Sequence, residues 1–155
     1  MSIEIRRALV ADAETVLTLL GELADYQDQR NYVTSTVEDW RGFLEQETVF
    51  VLIAHVDRIA AGYVSAVRRP YLWVGGDQLA LDDLYVREQF RDGGIGRKLM
   101  LALARIALPD RLPISWGLRI ENTAGYRFYE RLGAKLVTKT AAGWSPEVYE
   151  RQLNE

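Results

Sequence analysis

Apolar and charged positions alternate along Ile3-Glu4-Ile5-Arg6-Arg7-Ala8, the period-two pattern of a half-buried strand. The spacing then turns helical. Ala11-Asp12-Ala13-Glu14 puts acids in a first turn, and Val16, Leu17, Leu19, Leu20 and Leu23 follow on one face. A polar stretch from Asp25 to Val33 interrupts the helix. Thr36-Val37-Glu38-Asp39 reads as a capping box with Asp where Glu is usual, opening a shorter helix through Trp40, Phe43 and Leu44. Val49 to His55 is a continuous apolar run, Val56-Asp57-Arg58 a turn, and Ile59 to Val67 a second strand, which together predict an antiparallel hairpin. Arg68 to Asp77 is a loop rich in breakers and aromatics.

The chain is organised around Leu79 to Ile106. A strand carrying two acids, Leu81-Asp82-Asp83-Leu84-Tyr85-Val86, leads through the turn Arg91-Asp92-Gly93-Gly94-Ile95-Gly96 into an amphipathic helix. Ile95, Leu99, Ala102, Leu103 and Ile106 share one face of that helix, with Arg97, Lys98 and Arg105 on the other side. Glycines permit positive φ and let a ligand approach the backbone. The first amides of the helix lack internal acceptors and carry the positive end of its dipole, so the turn is suited to an anion such as a phosphate. A nucleotide-hydrolase loop, which ends Gly-Lys-Ser/Thr, fits poorly, since Gly96 is followed by Arg97 and Lys98. A Rossmann turn is a poor fit too, because the motif lies past the middle of the chain.

Beyond it, Pro109 to Pro113 is a stiff connection to a strand at Ile114 to Leu118. Asn122 caps a helix whose apolar side is Ala124, Phe128 and Leu132, and Gly133 supplies a left-handed stop. Lys135 to Thr140 and Pro146 to Leu153 are two last strands flanking a Gly143-Trp144 turn. The expected architecture is a mixed α/β fold of seven strands with helices on both faces of the sheet.

A chain of 155 residues, 48% hydrophobic and 26% charged, suits one domain spanning residues 1–155. With no cysteine and one histidine, His55, neither a disulfide framework, nor a thiolate nucleophile, nor a metal site is expected. The segment from Met1 to Arg7 lacks the apolar core of a signal peptide, and no apolar run is long enough to cross a bilayer, so a cytosolic (cytoplasmic) protein without membrane contact is expected. A net charge of −3 argues against nonspecific nucleic-acid binding and is compatible with cationic substrates.

Arg91 to Gly96 follows the acetyl-CoA-binding pattern Arg/Gln-x-x-Gly-x-Gly/Ala. The later run from Asn122 to Ala134 resembles the Asn-x-x-Ala/Ser-x-x-x-Tyr-x-x-x-Gly-Phe/Ala segment of the same family, the Gcn5-related N-acetyltransferases (GNAT). Likeness over Leu20 to Trp40, Leu81 to Val86, Ser115 to Leu118 and Val148 to Leu153 narrows the resemblance to the diamine (spermidine/spermine and thialysine) N-acetyltransferases. The chain departs from them with Glu121 where Trp is usual, and with Asp82-Asp83 where Glu-Asp is usual. The resemblance implies a mostly antiparallel seven-stranded sheet whose central strands splay apart, and acetyl-CoA as acetyl donor. The pantetheine arm would pair with the backbone of Leu84, Tyr85 and Val86. The diphosphate would lie against Arg91, Asp92, Gly93, Gly94, Ile95, Gly96 and Arg97, with Asn122, Ala124 and Gly125 also at the cofactor. A homodimer is implied as well.

An alkyl amine is almost wholly protonated at neutral pH, so attack on a thioester needs a base or a water relay. Asp82 stands at the position of the family's glutamate and is the candidate base; its short side chain favours a relay. Successive strand residues face opposite ways, so Asp82 and Asp83 are not expected to share one cleft. Tyr129 matches the tyrosine that protonates the departing thiolate, and a backbone amide near Tyr85 would hold the developing oxyanion. Asp82, Asp83 and Trp116 are candidate contacts to the acceptor, a small cationic amine. Asp25, Asp28 and Asp77 extend the acidic surroundings, although Arg30, Arg68 and Arg69 lie nearby in sequence. Plainer readings stand beside these: the acids satisfy a strand end, Tyr129 is a core aromatic, and Trp73 and Trp116 are packing residues. The alternatives to a small-amine acetyltransferase are an enzyme acting on a protein or peptide amine, and a CoA-binding module without catalysis.

Overall fold

A computed structural model of the chain describes residues 2–155; Met1, the first residue of the amino-terminal segment considered above, lies outside them. The chain forms two compact units, Met1–Gly117 and Leu118–Glu155. The first holds strands β1 (Ile3–Arg7), β2 (Val49–Val56), β3 (Ile59–Pro70), β4 (Asp77–Val86) and β5 (Ile114–Ser115) and helices α1 (Ala13–Tyr26), α2 (Val37–Glu45) and α3 (Ile95–Ala107). The strands stand in the order β1-β2-β3-β4-β5, antiparallel from β1 to β4, with β5 parallel to β4.

Local chemistry accounts for these elements. The capping box of α2 is present with its aspartate: Thr36 Oγ1 accepts from the Asp39 amide at 3.1 Å, and Asp39 Oδ2 accepts from the Thr36 amide at 2.9 Å. Asp57 and Arg58, at φ 48° and 72°, make the two-residue turn that matches the twist of a hairpin. On one face of the sheet, Val16, Leu19 and Leu23 of α1 and Trp40 of α2 pack with Val51, Ile53, Tyr63 and Tyr85. Leu52, Ala54 and Val64 alternate to the other face. There α3 runs against β1 to β4 and buries Ile95, Leu99, Met100, Leu103 and Ala107.

A charged clasp ties α1 to the end of β4. Arg87 donates from Nε to Glu22 Oε1 at 2.9 Å and from Nη2 to Glu22 Oε2 at 2.7 Å, while the Tyr85 hydroxyl donates to Glu22 Oε1 at 3.2 Å. The Arg87 hydrogen bonds hold the Glu22 carboxyl below the usual glutamate range against a partial burial that pushes it up. A depressed folded-state pKa stabilises the protein above the unfolded value, about 4.3, and that contribution fades as pH falls through the folded value. Arg87→Ala is expected to cost about 2 kcal/mol at neutral pH. Denaturation at pH 7 and again near ~pH 3 checks this, and equal costs at both would contradict the clasp.

The Leu118–Glu155 unit contains α4 (Thr123–Arg131) and α5 (Pro146–Leu153). Asn122 caps α4 as expected, its side-chain oxygen accepting from the Gly125 amide at 2.9 Å. Gly133, at φ 82°, ends it.

The strand count differs from expectation: the described residues form five strands, not seven. Pro146 to Leu153 is the helix α5, because Ser145-Pro146-Glu147 is a helix start, with proline at the first position, an acid in the first turn and Arg151 in the last. Lys135 to Thr140 joins no ladder among the described residues, and Val137 is exposed. β5 is two residues long rather than five, whereas β3 runs on to Pro70 because Arg68, Arg69 and Pro70 pair with Leu79, Gln78 and Asp77.

Candidate active site

Two features of the Met1–Gly117 unit form the candidate site. The first is the glycine turn. Asp92 and Gly94 have φ of 65° and 79°, and Gly94 stands at the N-cap of α3 without offering a side chain to it. The amides of Ile95, Gly96 and Arg97 therefore head the helix without acceptors inside it; that of Lys98 is the first with one, the Gly94 carbonyl at 3.0 Å. Ile95 is buried and anchors the turn to the core, while Asp92, Gly93, Gly94 and Arg97 are exposed. An ideal Cβ built on Gly94 would meet nothing within 4 Å. Open space, oriented amides and a helix dipole suit a diphosphate.

The turn continues an open strand edge. β4 pairs with β5 only at Leu79 with Ile114 and Ala80 with Ser115. Among the described residues, Leu81 to Val86 have no strand partner on that side, although β3 pairs with β4 as far as Val86. Leu84, Tyr85 and Val86 thus lie at the end of β4 next to the turn. The Val86 carbonyl accepts from Arg91 Nε at 2.9 Å, and the Arg91 guanidinium lies 4.8 Å from the centre of the Tyr26 ring. Arg91 accordingly braces the strand end against α1.

The second feature is a cavity of about 390 Å³ on the α2 side of the sheet. Trp40 and Phe43 of α2 and Val49 and Val51 of β2 line it, together with both Asp82 and Asp83. The two acids were not expected in one cleft. A β-bulge reverses that expectation: Ser65 pairs with Asp83 and Ala66 with Leu81, so Asp82 is the extra residue and strict alternation breaks there. Leu79 and Leu81 consequently stay buried while both acids reach the pocket.

Burial pushes the Asp82 carboxyl above the usual aspartate range, with the Arg69 charge pulling it back. Asp83 is also pushed up, first by burial and also by the charge of Asp82, against a hydrogen bond from Tyr63 that lowers it. Tyr63, whose hydroxyl donates to Asp83 Oδ2 at 3.0 Å, was not singled out by sequence. Neither were Trp40 and Phe43 as pocket walls, because their spacing read only as the apolar side of α2. Asp25 and Asp77 are engaged elsewhere, Asp25 with Arg30 at 2.9 Å and Asp77 with Arg68 at 2.7 Å. Trp116, half-buried just past β5, is not among the residues lining the cavity. Asp28 lies in the loop after α1 at φ 55°.

In the Leu118–Glu155 unit, Tyr129 is a buried residue of α4 with its ring edge-on to Phe128 at 5.0 Å between centres. Burial raises its pKa, so the hydroxyl stays protonated at neutral pH. Gly125 has a packing reason for its identity, since a Cβ there would stand 2.6 Å from Asn122 Nδ2.

The sequence model of the acetyltransferase (GNAT) family matches residues 13–134. The chain belongs to that family. This acetyltransferase is 29% identical over 133 residues to thialysine N-epsilon-acetyltransferase of Caenorhabditis elegans, covering 85% of this chain and 82% of the relative. It is 30% identical over 156 residues to the enzyme of the same name from Bos taurus, covering 90% and 88%. Among solved structures, AAC(6')-Iy in complex with the bisubstrate analog CoA-S-monomethyl-acetylneamine shares the fold at a TM-score of 0.76 and 19% identity, over 94% of this chain and 99% of the other. The chain is an N-acetyltransferase with a mixed α/β fold of this family. Among the described residues, no helix is long and apolar enough to cross a membrane, and no cluster of acids and histidines suits a metal ion.

Proposed function

We propose that this enzyme transfers acetyl from acetyl-CoA to the primary amine of a small cationic acceptor, a diamine, polyamine or related amino compound. The observation that carries the reading is the pair of carboxylates at one wall of a cavity otherwise lined by apolar side chains and Ser65. Aromatic and valine side chains suit an alkyl stem, and adjacent acids suit ammonium groups. The relatives named for thialysine, itself an amino compound of this kind, support the same class.

The residues present fit acetyl-CoA. The amides at the head of α3 and the open space over Gly94 would hold its diphosphate, and the free edge from Leu84 to Val86, beyond the two positions at which β5 pairs with β4, would take the pantetheine arm. Arg97 would add charge at the turn, and by resemblance Asn122, Ala124 and Gly125 would complete the contacts. Bound there, the cofactor supplies an activated acetyl thioester. Asp82, pushed up by burial, takes the proton that the acceptor ammonium must lose, through a water because its side chain is short. Asp83 attracts the cation; Trp116, outside the residues that line the cavity, is a candidate second contact to the acceptor. The Tyr129 hydroxyl, kept protonated by burial, supplies the proton that the departing sulfur needs.

We place this activity in one functional domain, residues 1–155, acting as a cytoplasmic homodimer. The subfamily resemblance supports the dimer, and so does the exposed apolar tip Leu72-Trp73-Val74, where Trp73 is 97% exposed. Sedimentation at micromolar concentration reads it, and a monomer would remove that part of the proposal. The activity itself is tested by release of free thiol from acetyl-CoA with thialysine, putrescine, spermidine, lysine, aminoglycosides and basic peptides. Turnover is expected with thialysine or a diamine. Turnover only on peptides would make this a protein acetyltransferase, and acetyl-CoA binding without any turnover would make it a binding module.

A further inference from the structure

We propose that Tyr63 is a positioning residue for the reaction: its buried hydroxyl holds Asp83 as the fixed anion that anchors the acceptor's ammonium, leaving Asp82 as the member of the pair that takes up the proton. The inference rests on the small-amine reading above and adds a division of labour between the two acids.

The bulge in β4 creates the problem that Tyr63 solves. Two carboxylates on consecutive residues share one partly enclosed cavity, and like charges so close resist being ionised together. Left to burial and mutual repulsion alone, the more enclosed acid, Asp83, would tend to keep its proton and lose its value as a cation anchor. Tyr63 opposes this. Its side chain is completely buried in the core beside Ile53 and Leu19, so packing fixes the place of its hydroxyl oxygen, and it donates to Asp83 Oδ2 at 3.0 Å. A buried hydroxyl needs an acceptor, and an ionised carboxylate is the stronger one.

The Tyr63 phenol is pushed far above its ordinary range by burial and by Asp83, so it remains a donor at every working pH. The groups facing the pair come from all sides of the cavity. From β3 come Tyr63, the uncharged hydroxyl residue Ser65 and, acting on Asp82, the Arg69 cation. From α2 and β2 come only apolar walls. Tyr85 on β4, with Glu22 of α1 hydrogen-bonded to it, is the remaining titratable neighbour of Tyr63.

Tyr63→Phe removes the donor and keeps the ring. Two readouts decide the matter. In a pH titration of carboxyl-labelled aspartates by carbon NMR, the Asp83 midpoint is expected to move to higher pH in the variant. In steady-state kinetics with thialysine and acetyl-CoA, KM for thialysine near pH 6 is expected to rise by about tenfold or more. The acid limb of kcat/KM should move up with it, and KM for acetyl-CoA should stay unchanged. An unchanged Asp83 titration, or an upward shift in Asp82 alone, overturns the proposal.

Should the phenylalanine variant fold poorly, Asp83→Asn serves in its place. It retains Tyr63, and it should raise KM for thialysine while kcat falls far less than in Asp82→Asn; the reverse pattern overturns the proposal. If the wild type turns over no small amine, the functional reading fails, yet the NMR titration still decides whether Tyr63 sets the charge of Asp83.

Discussion

Replacing Tyr129 by phenylalanine is expected to lower kcat by about ten- to a thousandfold, the range for loss of a general acid, with the Kd for acetyl-CoA nearly unchanged. The substitution deletes one oxygen. The ring that sits edge-on to Phe128 is retained, as is the backbone carbonyl that accepts from the Ala134 amide at 3.0 Å, so the helix end should stand. Because burial raises the phenol's pKa, the native side chain stays a donor through neutral pH, and its loss should be felt in the chemical step rather than in binding. Steady-state and single-turnover rates with thialysine check it. An unchanged kcat would remove Tyr129 from the mechanism and leave it a packing residue of α4.

Gly94→Val is expected to raise the Kd for acetyl-CoA at least about tenfold while leaving kcat at saturating cofactor largely intact. Two effects act together. At φ 79°, a β-branched side chain is held in a left-handed conformation that costs about 1–2 kcal/mol. The added methyl groups also occupy the open space above the first amides of α3. Asparagine tolerates positive φ better but still carries a Cβ, so Gly94→Asn separates the effects. If both variants bind weakly, obstruction dominates; if only valine does, backbone strain dominates. Calorimetry with acetyl-CoA measures both, and wild-type affinity in Gly94→Val would sink the assignment of the turn.

Where local chemistry decides structure, the sequence was readable. The capping box at Thr36, the turn at Asp57-Arg58, the glycine turn into α3 and the Asn122 cap each stand where residue type alone put them. The segment Pro146 to Leu153, expected as a strand, is a helix whose start is signalled locally by Ser145-Pro146-Glu147. The acid pair was a different kind of miss. Alternation assigned Asp82 and Asp83 to opposite faces, and only pairing with β3 reveals that Asp82 is an inserted residue. A bulge is a property of two strands in register, so neither strand's sequence displays it. The same holds for Tyr63, whose partner lies 20 residues away and becomes a neighbour only through that register.

The account depends most on main-chain amides at the head of α3 receiving the diphosphate of coenzyme A. A crystal structure with coenzyme A bound tests this directly. The account predicts the diphosphate against the amides of Gly94, Ile95, Gly96 and Arg97, and the pantetheine arm along Leu84 to Val86. Coenzyme A seated elsewhere, with that turn empty, would contradict it.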